Sequence, residues 1–254
     1  MSVSPPSGSK VPAEEFAGHC NGQVIPANKS LSYFSVVPLE DDELQRLVYD
    51  PAAAVPPGIR KVVPDLRLVL VAYLEKTNEK NGSSGASVIF QSAGAARRLY
   101  STRVVAEGLP FIFVAVKDED IADTHDAFYQ ELAALLVDRM EKEHRSGFES
   151  LLREELRAEV RGEIEESSWK LKEALLSRQS NPCRDTKLAR EYFGQAMADT
   201  LTLYLHGLCC DIDVESGPRQ LASRYIRKRL DLLRQILPPP KGVALYPEEL
   251  PVEL

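Results

Sequence analysis

A short stretch late in the chain contains the densest group of side chains that could ligate a metal. His206, Cys209, Cys210 and Asp211 offer an imidazole, two thiols and a carboxylate. His206 and Cys210 would share one helix face at their four-residue spacing, whereas Gly207 disfavours helix at that point. Adjacent cysteines after an apolar segment are more often small buried side chains than ligands. A metal site here is therefore an alternative, and the primary prediction is a chain without metal or cofactor.

Two predicted helices contain a second candidate group. Glu131 lies in the sequence QELAALL, which follows a strong strand and an acidic loop. Glu191 begins the sequence EYFGQAMA. Histidines at positions i and i+4 of a helix can hold one metal, with an intervening glutamate as base. Gln130 and Ala134 occupy the two histidine positions here.

These two segments resemble zincin-like metallopeptidases of the gluzincin type, whose first helix carries HExxH and whose second helix supplies a glutamate as third ligand. The resemblance covers residues 109–210, with Glu131 at the HExxH glutamate and Glu191 at the third ligand. It implies a fold of this class that has lost its metal ligands. Ala134 has no donor atom, and Gln130 is a poor substitute for imidazole.

The resemblance also implies a candidate cleft at Glu131, Glu191, Gln130 and Tyr192. Its two acids would be satisfied by hydrogen bonds or by a basic side chain, and we assign no catalytic residue. We predict a non-catalytic interaction or regulatory protein on such a degenerate scaffold. The alternative is a hydrolase whose site is assembled from scattered acids around Glu131 and Glu191. A coiled-coil structural protein is disfavoured by the strand-rich first half.

A thiol hydrolase would require a cysteine close to a histidine and an orienting acid. His19 precedes Cys20, and His206 lies near Cys209, but neither pair belongs to a family signature. Cys20 also falls in a segment that we predict to be poorly ordered, which is a poor place to hold catalytic geometry. The GxxxxGK[ST], GxGxxG and GxSxG signatures are absent from the sequence.

Two charged helices are candidate partner surfaces. Residues 148–178 are predicted as one long helix with an apolar residue at every fourth position and a densely charged remaining face, which could pair with another protein. A later helix carries a strip of cations against Asp231. The strip comprises Arg219, Arg224, Arg227, Lys228, Arg229 and Arg234. It could contact phosphate, anionic lipid or an acidic partner, but we favour an internal match to acids of 117–126 and 149–166 because the whole chain is acidic.

Composition narrows the class of protein. The 254 residues are 44% hydrophobic, which is enough for a full core, and the formal charge of −7 opposes binding to nucleic acid and anionic membranes. No apolar run reaches the ~20 residues that span a bilayer. The four cysteines do not form a disulfide framework. The N-terminus does not resemble a secretory signal, so we expect a cytoplasmic protein.

The apolar pattern predicts an α+β fold, with a small mixed sheet in the N-terminal half packed against a mainly helical C-terminal half. Proline and small polar residues predict a flexible arm over 1–30 and a tail over 238–254. A single domain would fill 31–237, strand-rich over 31–116 and helical over 117–237. Within it the predicted strands include 31–37, 66–74, 87–90 and 109–116, and residues 93–106 are predicted as a helix or as a helix leading into a strand.

Overall fold

A computed structural model describes residues 10–78, 84–92, 94–178, 181–210 and 219–246. The chain divides into two compact units, and the predicted α+β class is confirmed. Unit 1 comprises Met1–Ala53 and Val63–Glu131, and unit 2 comprises Ala54–Val62 and Leu132–Leu254. None of the described helices combines the length and the apolar character needed to cross a membrane.

The described residues form nine strands. They are β1 (Val11–Pro12), β2 (Ile25–Pro26), β3 (Leu31–Ser35), β4 (Leu66–Val71), β5 (Tyr73–Asn78), β6 (Ser84–Ile89), β7 (Arg98–Leu99), β8 (Ser101–Ala106) and β9 (Leu109–Ala115). One sheet has the order β2-β3-β4-β9-β8, in which β3, β4 and β9 are parallel and the two edge strands are antiparallel. The other sheet is antiparallel, in the order β1-β6-β5-β7.

Nine α-helices occur in the same residues, and short 3₁₀ and π turns connect some of them. They are α1 (Ala13–Cys20), α2 (Asp41–Leu44), α3 (Asp50–Ala54), α4 (Ile59–Val62), α5 (Ile121–Arg139), α6 (Lys142–Arg157), α7 (Glu166–Arg178), α8 (Lys187–Cys209) and α9 (Ser223–Ile236). The long helices α6 to α9 belong to unit 2, where α7 packs on α8 and α8 packs on α9.

The predicted strand 66–74 is two strands in different sheets. β4 ends at Val71, level with the end of its parallel neighbour β9 at Ala115. After Ala72 the chain continues as β5, which pairs with β6 instead. Apolar residues on both sides of the break are buried, so the hydrophobic pattern is continuous although the hydrogen-bonded partners change.

The segment predicted as a flexible arm contains structure from residue 10 onward. Helix α1 buries Ala13, Ala17 and Cys20, which recur at helical spacing and pack in one core with Phe111 and Phe113 of β9. The proline-rich composition predicted disorder because it carries few large apolar residues. Small residues are sufficient here, since they allow the helix to lie close to the sheet.

Residues 101–106 form the strand β8, which agrees with the predicted alternative of a helix leading into a strand, although the helical part is a short 3₁₀ turn at Ala95–Arg97. Thr102, Val104 and Val105 are β-branched and favour strand over helix. Alternate side chains of β8 point to opposite faces of the sheet. Val104 and Ala106 pack against the core that includes α1, whereas Ser101 and Arg103 contact α5 on the other face.

The predicted helix 148–178 is interrupted, and the partner surface assigned to it stays a prediction. α6 ends at Arg157 and α7 begins at Glu166. Between them Glu159 and Gly162 adopt left-handed backbone, with φ of 54° and 81°. A Cβ on Gly162 would lie 2.4 Å from the carbonyl oxygen of Gln220, so only glycine allows this approach of the two segments.

Candidate functional site

In unit 1, the Glu131 side chain is hydrogen-bonded to a strand of the five-stranded sheet. Its carboxylate accepts hydrogen bonds from Ser101 Oγ at 3.1 Å and Arg103 Nη1 at 3.4 Å. Gln130 is exposed and donates from Nε2 to Asp126 at 2.6 Å. The Gln130 hydrogen bond lies within α5, and the Glu131 hydrogen bonds link α5 to β8. Both polar residues of the first predicted motif therefore have hydrogen-bond partners in unit 1.

Glu191 and Tyr192 point to different surroundings in unit 2. Glu191 is exposed on α8 and lies 3.8 Å from Lys187, one helical turn away. Tyr192 is buried and donates from its hydroxyl to Glu163 at 2.6 Å. Successive residues on a helix face about 100° apart, so one sits in solvent and the next in the core. The predicted cleft that joins Glu191 to Glu131 stays a prediction.

The alternative metal ligands lie at the end of α8. His206, Cys209 and Cys210 are half-buried there, and Asp211 lies outside the described residues. The helix does continue through Gly207 as far as Cys209. A metal site at the end of α8 therefore also stays a prediction.

Unit 2 buries a charged network that the sequence analysis did not identify as a unit. Glu163 accepts hydrogen bonds from Lys172 Nζ at 3.0 Å and from Arg229 Nη1 at 2.7 Å, in addition to the Tyr192 hydroxyl. Arg229 also donates to both oxygens of Glu155, from Nε at 3.1 and 3.2 Å and from Nη2 at 2.6 Å. All four charged side chains are buried, and two anions face two cations.

Electrostatics keep Glu163 ionised within this network. Burial disfavours the charged form of Glu163, but Arg229 and then Lys172 outweigh it and hold the pKa of Glu163 below its ordinary value. Burial and the neighbouring Glu163 carboxylate raise the pKa of Tyr192, so its hydroxyl remains a donor. The network therefore satisfies its own charges, as a structural ion cluster does.

Arg229 fits the favoured internal match of the strip to the acids of 149–166, because it is buried and pairs with Glu155 and Glu163. Two other members of the strip are exposed and ion-paired. Lys228 lies 3.1 Å from Glu154, and Arg219 lies 3.8 Å from Glu166. The favoured internal match to the acids of 149–166 is confirmed for these cations.

Unit 1 contains a groove of about 460 Å³ beside the first residues of β8. Asp123, Asp126 and Gln130 line it from α5 at helical spacing, so they share one face of that helix. Arg98 and Glu119 line it as an ion pair. Burial, and to a smaller extent the charge of Asp123, raise the pKa of Asp126, although Gln130 donates to it.

Comparisons with family models, with curated proteins and with solved structures find no match.

The outer edge of β8 adjoins this groove. Among the described residues, β8 pairs only with β9. Ala115 N donates to Tyr100 O at 2.8 Å, and hydrogen-bonded pairs alternate in antiparallel sheets, so Thr102, Val104 and Ala106 bond to β9. The amide and carbonyl groups of the intervening residues point outward. These residues are Ser101, Arg103 and Val105.

The other described sheet edges are short by comparison. β1, β2 and β7 have two residues each, and β1 and β2 contain proline. Proteins commonly blunt sheet edges in this way, because an open edge can pair with another chain. β8 has six residues without proline, and its only charged side chain, Arg103, contacts Glu131. Val105 is 59% exposed, and Tyr100, next to the strand, is 54% exposed.

A sequence signal for the buried network did exist. On α9, Arg229 falls among Ile226, Leu230 and Leu233, which repeat at helical spacing. A charge inside an apolar stripe predicts a buried ion pair. The edge of β8 had no comparable signal, because strand order within a sheet decides which strand lies at the edge.

Proposed function

We propose that this chain is a non-catalytic interaction protein that binds a partner along the outer edge of β8. The observation that carries the proposal is the outer edge of β8, which pairs with no second strand among the described residues and where the backbone groups of Ser101 and Val105 point away from β9. An added strand would satisfy these groups with main-chain hydrogen bonds, a recurring mode of peptide recognition.

Two features of α5, the helix next to β8, support a binding role over catalysis. Glu131 already accepts hydrogen bonds from Ser101 and Arg103, which aligns α5 with β8. Ala134 carries no donor atom, so this helix does not supply the ligand pair used by the metallopeptidases it resembles. The degenerate peptidase scaffold itself remains part of this proposal, since the contacts of Glu131 and Glu191 are compatible with lost chemistry.

The test compares three forms of the full chain. Val105→Pro removes an outward N–H without touching the hydrogen bonds to β9, because proline is tolerated where its nitrogen faces away from the sheet. Val105→Ala is the matched control, since it shortens the same side chain and keeps the N–H. Each form is used to isolate associated proteins from cell extract, and amide hydrogen exchange is then measured on the recovered complexes.

We expect wild type and Val105→Ala to recover the same protein and to show slowed exchange at residues 101 and 105. Val105→Pro should recover about tenfold less of that protein, which corresponds to ~1.4 kcal/mol of binding free energy. Equal recovery by Val105→Pro, or slowed exchange elsewhere but not in β8, would overturn the proposal.

A further inference from the structure

A second groove lies entirely within unit 2 and has a volume of about 610 Å³. Its walls are the end of α6 with the turn that follows, the last turns of α7, and residues 181–183 before α8. The apolar part of its lining consists of Leu156, Val160, Leu176, Pro182 and Cys183. This unit 2 groove therefore has the size and the mixed lining of a small-molecule site.

Hydrogen bonds within the walls hold the unit 2 groove in shape. Arg153 donates from Nη1 to the carbonyl oxygen of Cys183 at 2.7 Å, and the Cys183 thiol donates to the carbonyl oxygen of Arg153 at 3.6 Å. Asn181 Oδ1 accepts from Cys183 N at 3.0 Å. Val160 N donates to Glu155 O at 3.0 Å, which closes the turn onto α6. A ligand would thus meet walls that are already ordered.

Four charged side chains also line the unit 2 groove, namely Arg157, Glu159, Arg161 and Glu173. None of these side chains has a hydrogen bond or an ion pair with a described residue. Exposed cations elsewhere in the unit are paired, as Lys228 is with an acid of α6. Glu173 is half-buried, so its carboxylate has lost part of its water without gaining a cation.

The balance of charges favours a ligand that carries both signs. Two guanidinium groups and two carboxylates leave the lining with no net charge. An ion of either sign would be attracted by one pair and repelled by the other. A zwitterion can satisfy both, because guanidinium groups bind carboxylates in bidentate geometry and a carboxylate accepts hydrogen bonds from an ammonium group. The apolar lining then remains for an apolar part of the same molecule.

We infer that the unit 2 groove binds an α-amino acid with an aliphatic side chain. The carboxylate of the ligand pairs with Arg157 and Arg161, and its ammonium group pairs with Glu173. Its side chain packs against the aliphatic lining that Leu156 and Val160 provide from α6 and the turn. This site is separate from the proposed function, because the edge of β8 belongs to unit 1.

The probe is leucine, and three related compounds each remove one of its contacts. N-acetyl-leucine lacks the ammonium group, leucinamide lacks the carboxylate, and glycine lacks the aliphatic side chain. Binding to the full chain is measured by titration calorimetry, and changes in amide chemical shift locate the ligand.

We expect leucine to bind with a dissociation constant on the order of 1 mM, because exposed ion pairs contribute little each. Each of the three related compounds should bind at least about fivefold more weakly. The chemical-shift changes should fall in residues 156–161, 173–177 and 181–183. Absence of leucine binding at about 10 mM, or equal binding of leucine and N-acetyl-leucine, would overturn the inference.

Two variants assign the charges of the ligand to their partners. Arg161→Gln should weaken leucine about fivefold and leave leucinamide unchanged, since leucinamide has no carboxylate to lose. Glu173→Gln should weaken leucine by a similar factor and leave N-acetyl-leucine unchanged. The matched controls are Arg190→Gln and Glu191→Gln, which change exposed charges of α8 outside the groove and should bind leucine as wild type does.

Urea unfolding of each variant shows whether unit 2 is intact. Leucine affinity that is the same in wild type, Arg161→Gln and Glu173→Gln would show that the ligand binds elsewhere. The inference would also be wrong if the control variants weakened leucine as much as the groove variants do, because the effect would then reflect overall charge.

Discussion

Two carboxylates that burial affects, one in each unit, have opposite surroundings. In unit 2, Glu163 is surrounded by donors from Lys172, Arg229 and Tyr192, and its pKa is lowered in spite of burial. In unit 1, Asp126 lies at a groove beside Asp123, and burial raises its pKa. The difference teaches that burial alone does not decide the role of an acid. An acid beside internal cations stays charged and stabilises the fold, whereas the pKa of a partly buried acid beside another acid is shifted toward the neutral form.

The largest effect is expected from Glu163→Gln. This change removes one anion from the buried network and leaves Arg229 and Lys172 with Glu155 as the remaining acid, so unfolding free energy should fall by about 3–5 kcal/mol. Trp169 is the single tryptophan and lies in unit 2, so its fluorescence can follow urea unfolding of this unit. Glu191→Gln is the control, because its exposed pair with Lys187 should contribute less than about 1 kcal/mol. Equal effects of the two variants would show that the network is not the stabilising element.

A smaller effect is expected from Gly162→Ala. The added Cβ would meet the backbone of Gln220 and would require left-handed φ from alanine, so we expect a loss of about 1–3 kcal/mol. Gly147→Ala is a control of opposite sign. Gly147 is exposed within α6 and has open space around its added Cβ, so alanine should stabilise by up to about 1 kcal/mol. Urea unfolding followed by Trp169 measures both, and a neutral Gly162→Ala would contradict the close approach.

Lowering the pH should reduce the difference in unfolding free energy between wild type and Glu163→Gln. Because the folded pKa of Glu163 lies below its ordinary value of 4.5, its contribution to stability is fully present above that pH and is lost as pH falls through the folded pKa. The difference in unfolding free energy between the two proteins should therefore narrow below about pH 4.5. A series of urea titrations over this range is the measurement, and a difference that widens in acid would contradict the direction of the shift.

The smallest effect, and the opposite slope, is expected from Asp126→Asn in unit 1. A raised folded pKa means that Asp126 favours folding below its ordinary value of 3.8 and loses that contribution as pH rises through the folded pKa. The variant should therefore gain stability relative to wild type as pH rises, by less than about 1 kcal/mol. Amide exchange in residues 121–131 of α5 follows unit 1 directly. If the variant instead lost stability relative to wild type as pH rises, the raised pKa of Asp126 and its contrast with Glu163 would be contradicted.

Local sequence features predicted much of the secondary structure. The strand β9 follows from its aromatic and β-branched residues, which act within a few positions. The class of fold followed from the same patterns. Sequence did not reveal that Ala72 divides one apolar run between two sheets, because the choice of partner strand depends on residues far along the chain.

The candidate site was predictable only in part. The acidic loop and the helix after β9 were evident from the sequence, and they contribute Glu119, Asp123 and Asp126 to the groove. The edge of β8 was not, because residues 93–106 were predicted as a helix or as a helix leading into a strand, and strand order is a tertiary property. The charges of the buried network were visible as interruptions of apolar stripes, but the two acids that Arg229 contacts lie more than sixty positions before it.

The buried network also constrains the order in which the chain can fold during synthesis. Arg229 enters the growing chain 74 positions after Glu155 and 66 positions after Glu163. Until α9 is made, these two carboxylates lack their shared cation and remain better solvated than buried. The sheets of unit 1 are complete once β9 is made. We therefore expect newly made chains to close unit 1 first and to hold α6 and α7 loosely until α9 arrives, so that unit 2 folds in one late step.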